Sequence, residues 1–222
     1  MADESLAVRT WGAGSGVGAP IAAVNAESWN ARYAGADFVY GTAPNDFVAA
    51  VAAAIPPGPV LCLAEGEGRN AVWLAARGHA VTAVDHAEIA LAKAEGLAAA
   101  RGVKLTTVAT DLGAYCIELG AWAGIVSVWA HLPSVLRRTV HGQVVRGLQP
   151  GGVYILEAYT PTQLTRFTGG PRDEDSLMTA ELLRAELAGL EFEILREVDR
   201  MVHEGNAHNG PSFTVQVLAR KP

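Results

Sequence analysis

The stretch Pro59-Val-Leu-Cys-Leu-Ala-Glu-Gly-Glu-Gly-Arg-Asn-Ala-Val-Trp-Leu-Ala-Ala-Arg-Gly-His-Ala-Val-Thr-Ala-Val-Asp85 decides the fold. Residues 59–63 form a short apolar run without alternation, which suits a central parallel strand covered on both faces. The glycines of Ala64-Glu-Gly-Glu-Gly68 let the backbone turn tightly and approach a ligand closely, where a Cβ would obstruct it. A helix follows through Asn70, Val72, Leu74 and Arg77, and residues 80–84 read as a second strand ending at Asp85. An acidic group there is placed to bond ribose hydroxyls in the crevice beyond the strand ends. Loop and carboxylate together imply an adenosine-containing ligand.

Working outward, the same alternation continues. Upstream, Asn45 caps a helix carrying Phe47, Val48, Val51 and Ile55, which Pro56-Pro57 stops. Downstream come a helix from about 87 to 102, strands at 104–108 and 124–128, and a helix from about 134 to 148. Pro150-Gly-Gly152 then turns the chain into a fifth strand at 153–158. Repeating β–α units of this kind predict an α/β fold: a mostly parallel sheet with helices on both faces and right-handed crossovers. The rhythm breaks after a helix near 179–188. Strands at 192–202 and 212–219 leave no room for a helix between them, so they pair antiparallel across Glu204-Gly-Asn-Ala-His-Asn-Gly210.

With 222 residues, half of them apolar, the chain buries one core. Residues 1–27 read as a flexible extension and 28–222 as a single domain. The extension contains Trp11-Gly-Ala-Gly-Ser-Gly-Val-Gly-Ala-Pro20, but no strand precedes these glycines and Pro20 closes them, so a phosphate loop is not expected. A balance of 17 basic against 23 acidic residues, without a basic cluster, repels a phosphate backbone and favours a small-molecule partner over nucleic acid. Cys62 and Cys116 form neither a disulfide framework nor a zinc spacing. His203, Glu204 and His208 match no zinc motif either, so no metal is expected. The first six residues lack the basic and apolar regions of a signal peptide, and no apolar stretch is long enough to span a membrane. A cytoplasmic protein, monomeric or homodimeric, is the expectation.

Gly66-x-Gly68-x-x-Ala71 with Asp85 also satisfies the dinucleotide fingerprint, so the glycines alone do not identify the ligand. Glu65 and Glu67 argue for S-adenosylmethionine. Carboxylates beside a pyrophosphate repel it, whereas a sulfonium and an ammonium suit a negative loop. Two alternatives stay open: an NAD-dependent oxidoreductase and a cofactor-binding protein without turnover.

Several further segments match in order: Trp29-Asn-Ala-Arg-Tyr33, Phe38-Val-Tyr-Gly-Thr42 with Pro44-Asn45, Glu65-Gly-Glu-Gly-Arg-Asn-Ala-Val72, Val81-Thr-Ala-Val-Asp85, Thr110-Asp-Leu112, His131-Leu-Pro133 and Leu148-Gln-Pro-Gly-Gly152. From about residue 29 to the end the chain resembles the class I S-adenosylmethionine-dependent methyltransferases, in particular the tellurite-resistance and thiopurine methyltransferase-like bacterial branch. The resemblance implies a Rossmann-like seven-stranded mixed sheet in order 3-2-1-4-5-7-6, with the last strand antiparallel. It implies that Ala64, Glu65, Gly66, Glu67 and Gly68 border the methionine half of the cofactor, with Asn70 beside them. Asp85 would hold the ribose, Asp111 and Leu112 flank the adenine, and His86 line its near side. Trp29, Arg32, Tyr33, Phe38 and Tyr40 would cover the cofactor, and residues 128–131, Trp129 included, would lie beneath the reactive methyl. Two positions depart from the usual pattern: Cys62 stands where an aspartate is expected and Ala64 replaces the first glycine. A negative φ at Ala64 would accommodate its methyl, and Glu65 or Glu67 would partly replace the lost carboxylate.

The implied reaction is an in-line displacement at a sulfonium methyl, for which alignment and exclusion of water suffice. A hydroxyl or protonated amine acceptor also needs a base, and His131 is the candidate catalytic residue. Tyr159 at the end of the fifth strand, Arg166 on a lid formed by residues 160–177, and His203 in the hairpin are candidate substrate contacts. The acceptor is expected to be a small molecule offering a thiol, a chalcogen oxyanion, nitrogen or oxygen.

Overall fold

A computed structural model describes residues 26–222. All but the last two residues of the expected N-terminal extension, its glycine-rich stretch included, lie outside these residues. The chain runs through α1 (Ala26–Tyr33), α2 (Asp46–Val51), β1 (Pro59–Leu63), α3 (Arg69–Ala75), β2 (Ala80–Asp85), α4 (Glu88–Ala100) and β3 (Thr106–Ala109). It continues through β4 (Trp122–Val128), α5 (Ser134–Gly147), β5 (Leu148–Tyr159), α6 (Ala180–Glu186), β6 (Glu191–Glu204) and β7 (His208–Arg220). The seven strands form one sheet in the order β3-β2-β1-β4-β5-β7-β6. The first five are parallel, and β7 runs antiparallel to both β5 and β6. This is the expected Rossmann-like topology.

The central strand shows why its sequence is apolar without alternation. Val60 and Cys62 pack on one face with Phe47 and Val48 of α2, Leu74 of α3 and Leu91 of α4. Leu61 and Leu63 pack on the other face with Val140 and Val144 of α5 and Leu183 and Leu187 near α6. Both faces are dry, so every position is apolar. Asn45 caps α2 as expected, its side chain accepting from the Val48 amide, and Thr179 caps α6 by accepting from Leu182 N–H.

Most element boundaries shift by one or two residues from the sequence expectation, and two differences go further. Pro150-Gly-Gly152 lies inside β5 rather than ahead of it, because the strand starts at Leu148 and absorbs these residues in a register shift opposite Trp122 and Gly124, with Gly151 at φ +78. The β6–β7 hairpin is longer and its turn tighter, with pairing continuing to Glu204 opposite His208. Among the described residues no helix is long and apolar enough to cross a membrane.

Candidate functional site

A cleft of about 510 Å³ opens at the C-terminal ends of β1, β2 and β4, within the range of about 300–1,000 Å³ typical of small-molecule sites. A second hollow of about 560 Å³ lies at the other end of the sheet, along β2, α4 and the start of β3. It lacks the convergence of polar and aromatic groups that marks the first.

Of the residues singled out from sequence, Trp29, Tyr33, Tyr40, Ala64, Glu65, Gly66, Asp85, His86, Asp111, Leu112, Trp129 and His131 all line the first cleft. The turn after β1 is held by Asp85, whose carboxylate accepts from Gly66 N–H and Ala87 N–H at 2.8 Å each. Burial raises the Asp85 pKa against these bonds. Ala64 does not keep a negative φ. It sits at +49, so the turn retains the left-handed geometry of the glycine it replaces and the methyl is carried as strain.

Glu65 lies beside the Cys62 thiol and accepts from Asn70 N–H and Ala71 N–H, 2.9 and 2.8 Å away, at the first turn of α3. Burial raises its pKa to about 7, with these amide bonds and Arg69 opposing. Cys62 is fully buried in β1, and burial pushes its thiol well up.

The aromatic cover is built from the N-terminal side. Trp29 and Tyr33 stack at 5.5 Å, and Tyr40 meets Tyr33 edge-on at 6.3 Å. Lys93 of α4 fixes this cover by donating to the carbonyls of Gly35 and Asp37 and pairing with Glu67. Glu67 also accepts from Val39 N–H.

Other sequence candidates lie off the cleft wall. Glu67 is spent on Lys93 and the Val39 amide. Gly68 is needed for packing, since a Cβ there would come within 2.5 Å of the Ala94 methyl. Asn70 accepts from Asn45 N–H and so anchors α2, while Arg32 bonds Tyr40 Oη and Phe38 packs beside Val72 and Leu97. Tyr159 is fully buried behind Trp129, with ring centroids 4.3 Å apart. Arg166 points outward to Asp199 and the Phe213 ring. His203 faces solvent and bonds Asn209, because strand alternation turns it away from the face that buries Val202 and Glu204.

The segment 160–177 is pinned rather than loose. Buried Gln163 ties it to Thr168, Gly169 and the Phe213 amide, and Arg137 reaches the Asp175 carbonyl at 2.6 Å. It presents Gly170, Asp173 and Ser176 to the cleft, not an arginine.

His131 lines the cleft, but its Nε2 accepts from Tyr159 N–H at 2.9 Å. Burial, aided by His208, lowers its pKa to about 3. A nitrogen already receiving a backbone proton has no lone pair for an acceptor, so the geometry makes His131 a brace for the end of β5.

The sequence reading did not single out a buried polar network under the cleft. Glu204 pairs with Arg69 at 2.6 Å and accepts from Trp129 Nε1 and Asn45 Nδ2. Its pKa falls to about 2, because the nearby His208 and the bonds from Arg69 and Trp129 outweigh the upward effect of burial. Glu157, fully buried, accepts from Asn45, Gln216 and twice from Arg200. Trp129 itself stands at φ +58, held by Glu204 at the indole and by the Glu157 carbonyl at its backbone amide. Arg69 and His208 line the cleft above this network.

Comparison with known proteins locates the same region. Residues 60–152 match the family of methyltransferase domains. The 2-heptyl-1-hydroxyquinolin-4(1H)-one methyltransferase of Mycobacteroides abscessus is 30% identical over 117 residues, 51% of this chain and 52% of that protein. The chain therefore matches about half the length of this curated relative. Among solved structures, TehB from Haemophilus influenzae superposes with a TM-score of 0.65 at 22% identity, covering 88% of this chain and 66% of that one. A protein studied for the conversion of a disulfide bond into a thioacetal group during echinomycin biosynthesis superposes at 0.72 with 20% identity, over 88% and 91% of the two chains. Residues 60–152 are thus similar to methyltransferase domains, and they sit in a fold that the chain shares with these solved structures.

Proposed function

We propose that the protein binds S-adenosylmethionine in the cleft and transfers its methyl group to a small molecule. One observation separates this reading from a dinucleotide enzyme. In dinucleotide folds the pyrophosphate rests on the N-terminus of the helix after the first strand. Here the Glu65 carboxylate already takes the Asn70 and Ala71 amides at that helix start. A phosphate would meet a carboxylate, whereas an ammonium and a sulfonium would meet a complementary charge.

The residues present fit such a cofactor. Asp85 stands at the end of β2 with a carboxylate oriented by two amides and lone pairs left for ribose hydroxyls. Asp111 and Leu112 flank the adenine, and Ala64, Glu65 and Gly66 border the methionine half. Trp29, Tyr33 and Tyr40 close over it and exclude water. When bound, the cofactor supplies an electrophilic methyl. The protein aligns that methyl against an acceptor held by the Trp129–His131 segment. The likeness to a hydroxyquinolone methyltransferase supports a small-molecule acceptor.

Titration calorimetry with S-adenosylmethionine, S-adenosylhomocysteine and NAD tests this, repeated with Asp85→Ala. Binding of the two sulfur ligands alone, weakened by the substitution, is expected. Binding of NAD instead, or of neither sulfur ligand, would end the methyltransferase reading. Binding without turnover across acceptor classes would leave a cofactor-binding protein.

A further inference from the structure

Resting on that reading, we propose that His208 is the base that takes the acceptor's proton, oriented by Glu204, and that the acceptor is a hydroxyl or thiol carried on a flat ring. Three histidines line the cleft. His131 has its Nε2 committed to the Tyr159 amide, and His86 lies at the adenine end, 4.0 Å from Asp111. His208 lies at the other end among the rings of Tyr40, Trp129 and Tyr159, with centroids 4.8, 5.1 and 5.4 Å away.

Its Nδ1 is buried, has no hydrogen-bond partner among the described residues, and faces Glu204 Oε2 at 3.8 Å. That distance is longer than a formed bond, as contacts between catalytic groups often are before substrate binds. A carboxylate on the Nδ1 side favours the Nδ1–H tautomer and leaves the Nε2 lone pair available to the cleft. The β6–β7 register creates the pair: Glu204 and His208 are directly opposite, both inward. The hairpin tip is then locked against the cover, with Asn206 N–H bonding the Val39 carbonyl and Gly205 packed on the Val39–Tyr40 backbone too closely for a Cβ.

The charged and titratable groups around His208 are Glu204 on β6, Arg69 on α3, Arg32 on α1, the Tyr40 and Tyr159 hydroxyls, and neutral His131. Burial lowers the His208 pKa and outweighs Glu204, so the ring is neutral at pH 7, as a base must be. The near-parallel Trp129 and His131 rings, backed by the buried Tyr159 ring, give this end of the cleft a flat wall, with Leu132, Pro133 and Leu136 as apolar lining. In the step, Nε2 removes the acceptor O–H or S–H proton as the acceptor's electron pair bonds the methyl carbon. The sulfonium C–S bond breaks with its pair left on sulfur, and the imidazolium later gives its proton to water.

Nitrogen-15 imidazole spectra of the full chain with S-adenosylhomocysteine test the assignment without needing the natural acceptor. At pH 7 His208 should be neutral with the proton on Nδ1, and Glu204→Gln should remove that preference. A charged His208, or one protonated on Nε2, overturns the proposal. For turnover, phenol serves as the weakly acidic probe, and thiophenol and 4-nitrophenol as ones that ionise unaided. His208→Gln should cut kcat by about 10²–10⁴ on phenol, and far less on thiophenol and 4-nitrophenol. Equal losses on all probes with unchanged S-adenosylhomocysteine affinity would make His208 a wall residue instead. Loss of S-adenosylhomocysteine binding by the wild type would strike the methyltransferase reading itself.

Discussion

Replacing Gly68 with alanine separates packing from ligand binding in the loop after β1. Gly68 stands at φ +86, and an added Cβ would lie 2.5 Å from Ala94 Cβ and 2.9 Å from Ala94 Cα. The left-handed conformation costs a residue with a Cβ about 1–2 kcal/mol, and overpacking against α4 costs about 1–3 kcal/mol more. The expected loss is the sum, about 2–5 kcal/mol, or roughly 4–20 °C in Tm for a domain of this size. Urea unfolding and calorimetry of Gly68→Ala measure it. Ala94→Gly removes the nearer of the two clashing atoms, so the double variant should recover part of the packing loss but none of the backbone strain. The two sites should therefore be coupled in a double-mutant cycle. A Gly68→Ala protein that melts with the wild type while losing S-adenosylhomocysteine affinity would refute the packing argument and return Gly68 to the ligand contacts.

The opposite exchange at Ala64 relieves strain: at φ +49, Ala64→Gly should stabilise by about 0–1 kcal/mol after glycine's extra unfolded-state entropy is subtracted, and a loss above 1 kcal/mol in urea unfolding would show that the methyl packs. Glu157→Gln leaves Arg200 beside a neutral partner in a buried network and should cost about 3–5 kcal/mol, read from urea midpoints. Glu65 has a folded pKa of about 7, above its ordinary value near 4.5, so the folded state favours its protonated form. Stability from this group is complete below pH 4.5 and is lost as pH rises through 7. Glu65→Gln, whose amide oxygen can still accept from the α3 amides, should remove that part of the decline between pH 5 and 7. An unchanged slope would place the titration elsewhere.

Much of the fold was legible because its signals are local. An apolar run without alternation marks a strand buried on both sides, Asn45 announces a helix start, and two strands separated by seven turn-forming residues can only return antiparallel. Most of the cleft wall was legible as well, since loops at strand ends converge once the strand order is known. His203 was a misplacement the sequence could have prevented. Val202 belongs to the buried face of β6, so alternation sends Glu204 inward and His203 out.

By itself, then, the sequence determined the α/β class, the strand order through its resemblance, and the loop and aspartate that point to an adenosyl ligand. Each of those follows from neighbours along the chain. Tertiary structure alone decided the orientation of the polar side chains: Glu65 onto the α3 amides, His131 onto the Tyr159 amide, and Glu204 beneath Trp129 with Arg69 and His208. A buried polar atom goes to whichever partner the folded backbone brings within about 3 Å. The Tyr159, Trp129 and Arg69 partners lie 28 to 135 residues away along the chain, a separation that no local pattern encodes.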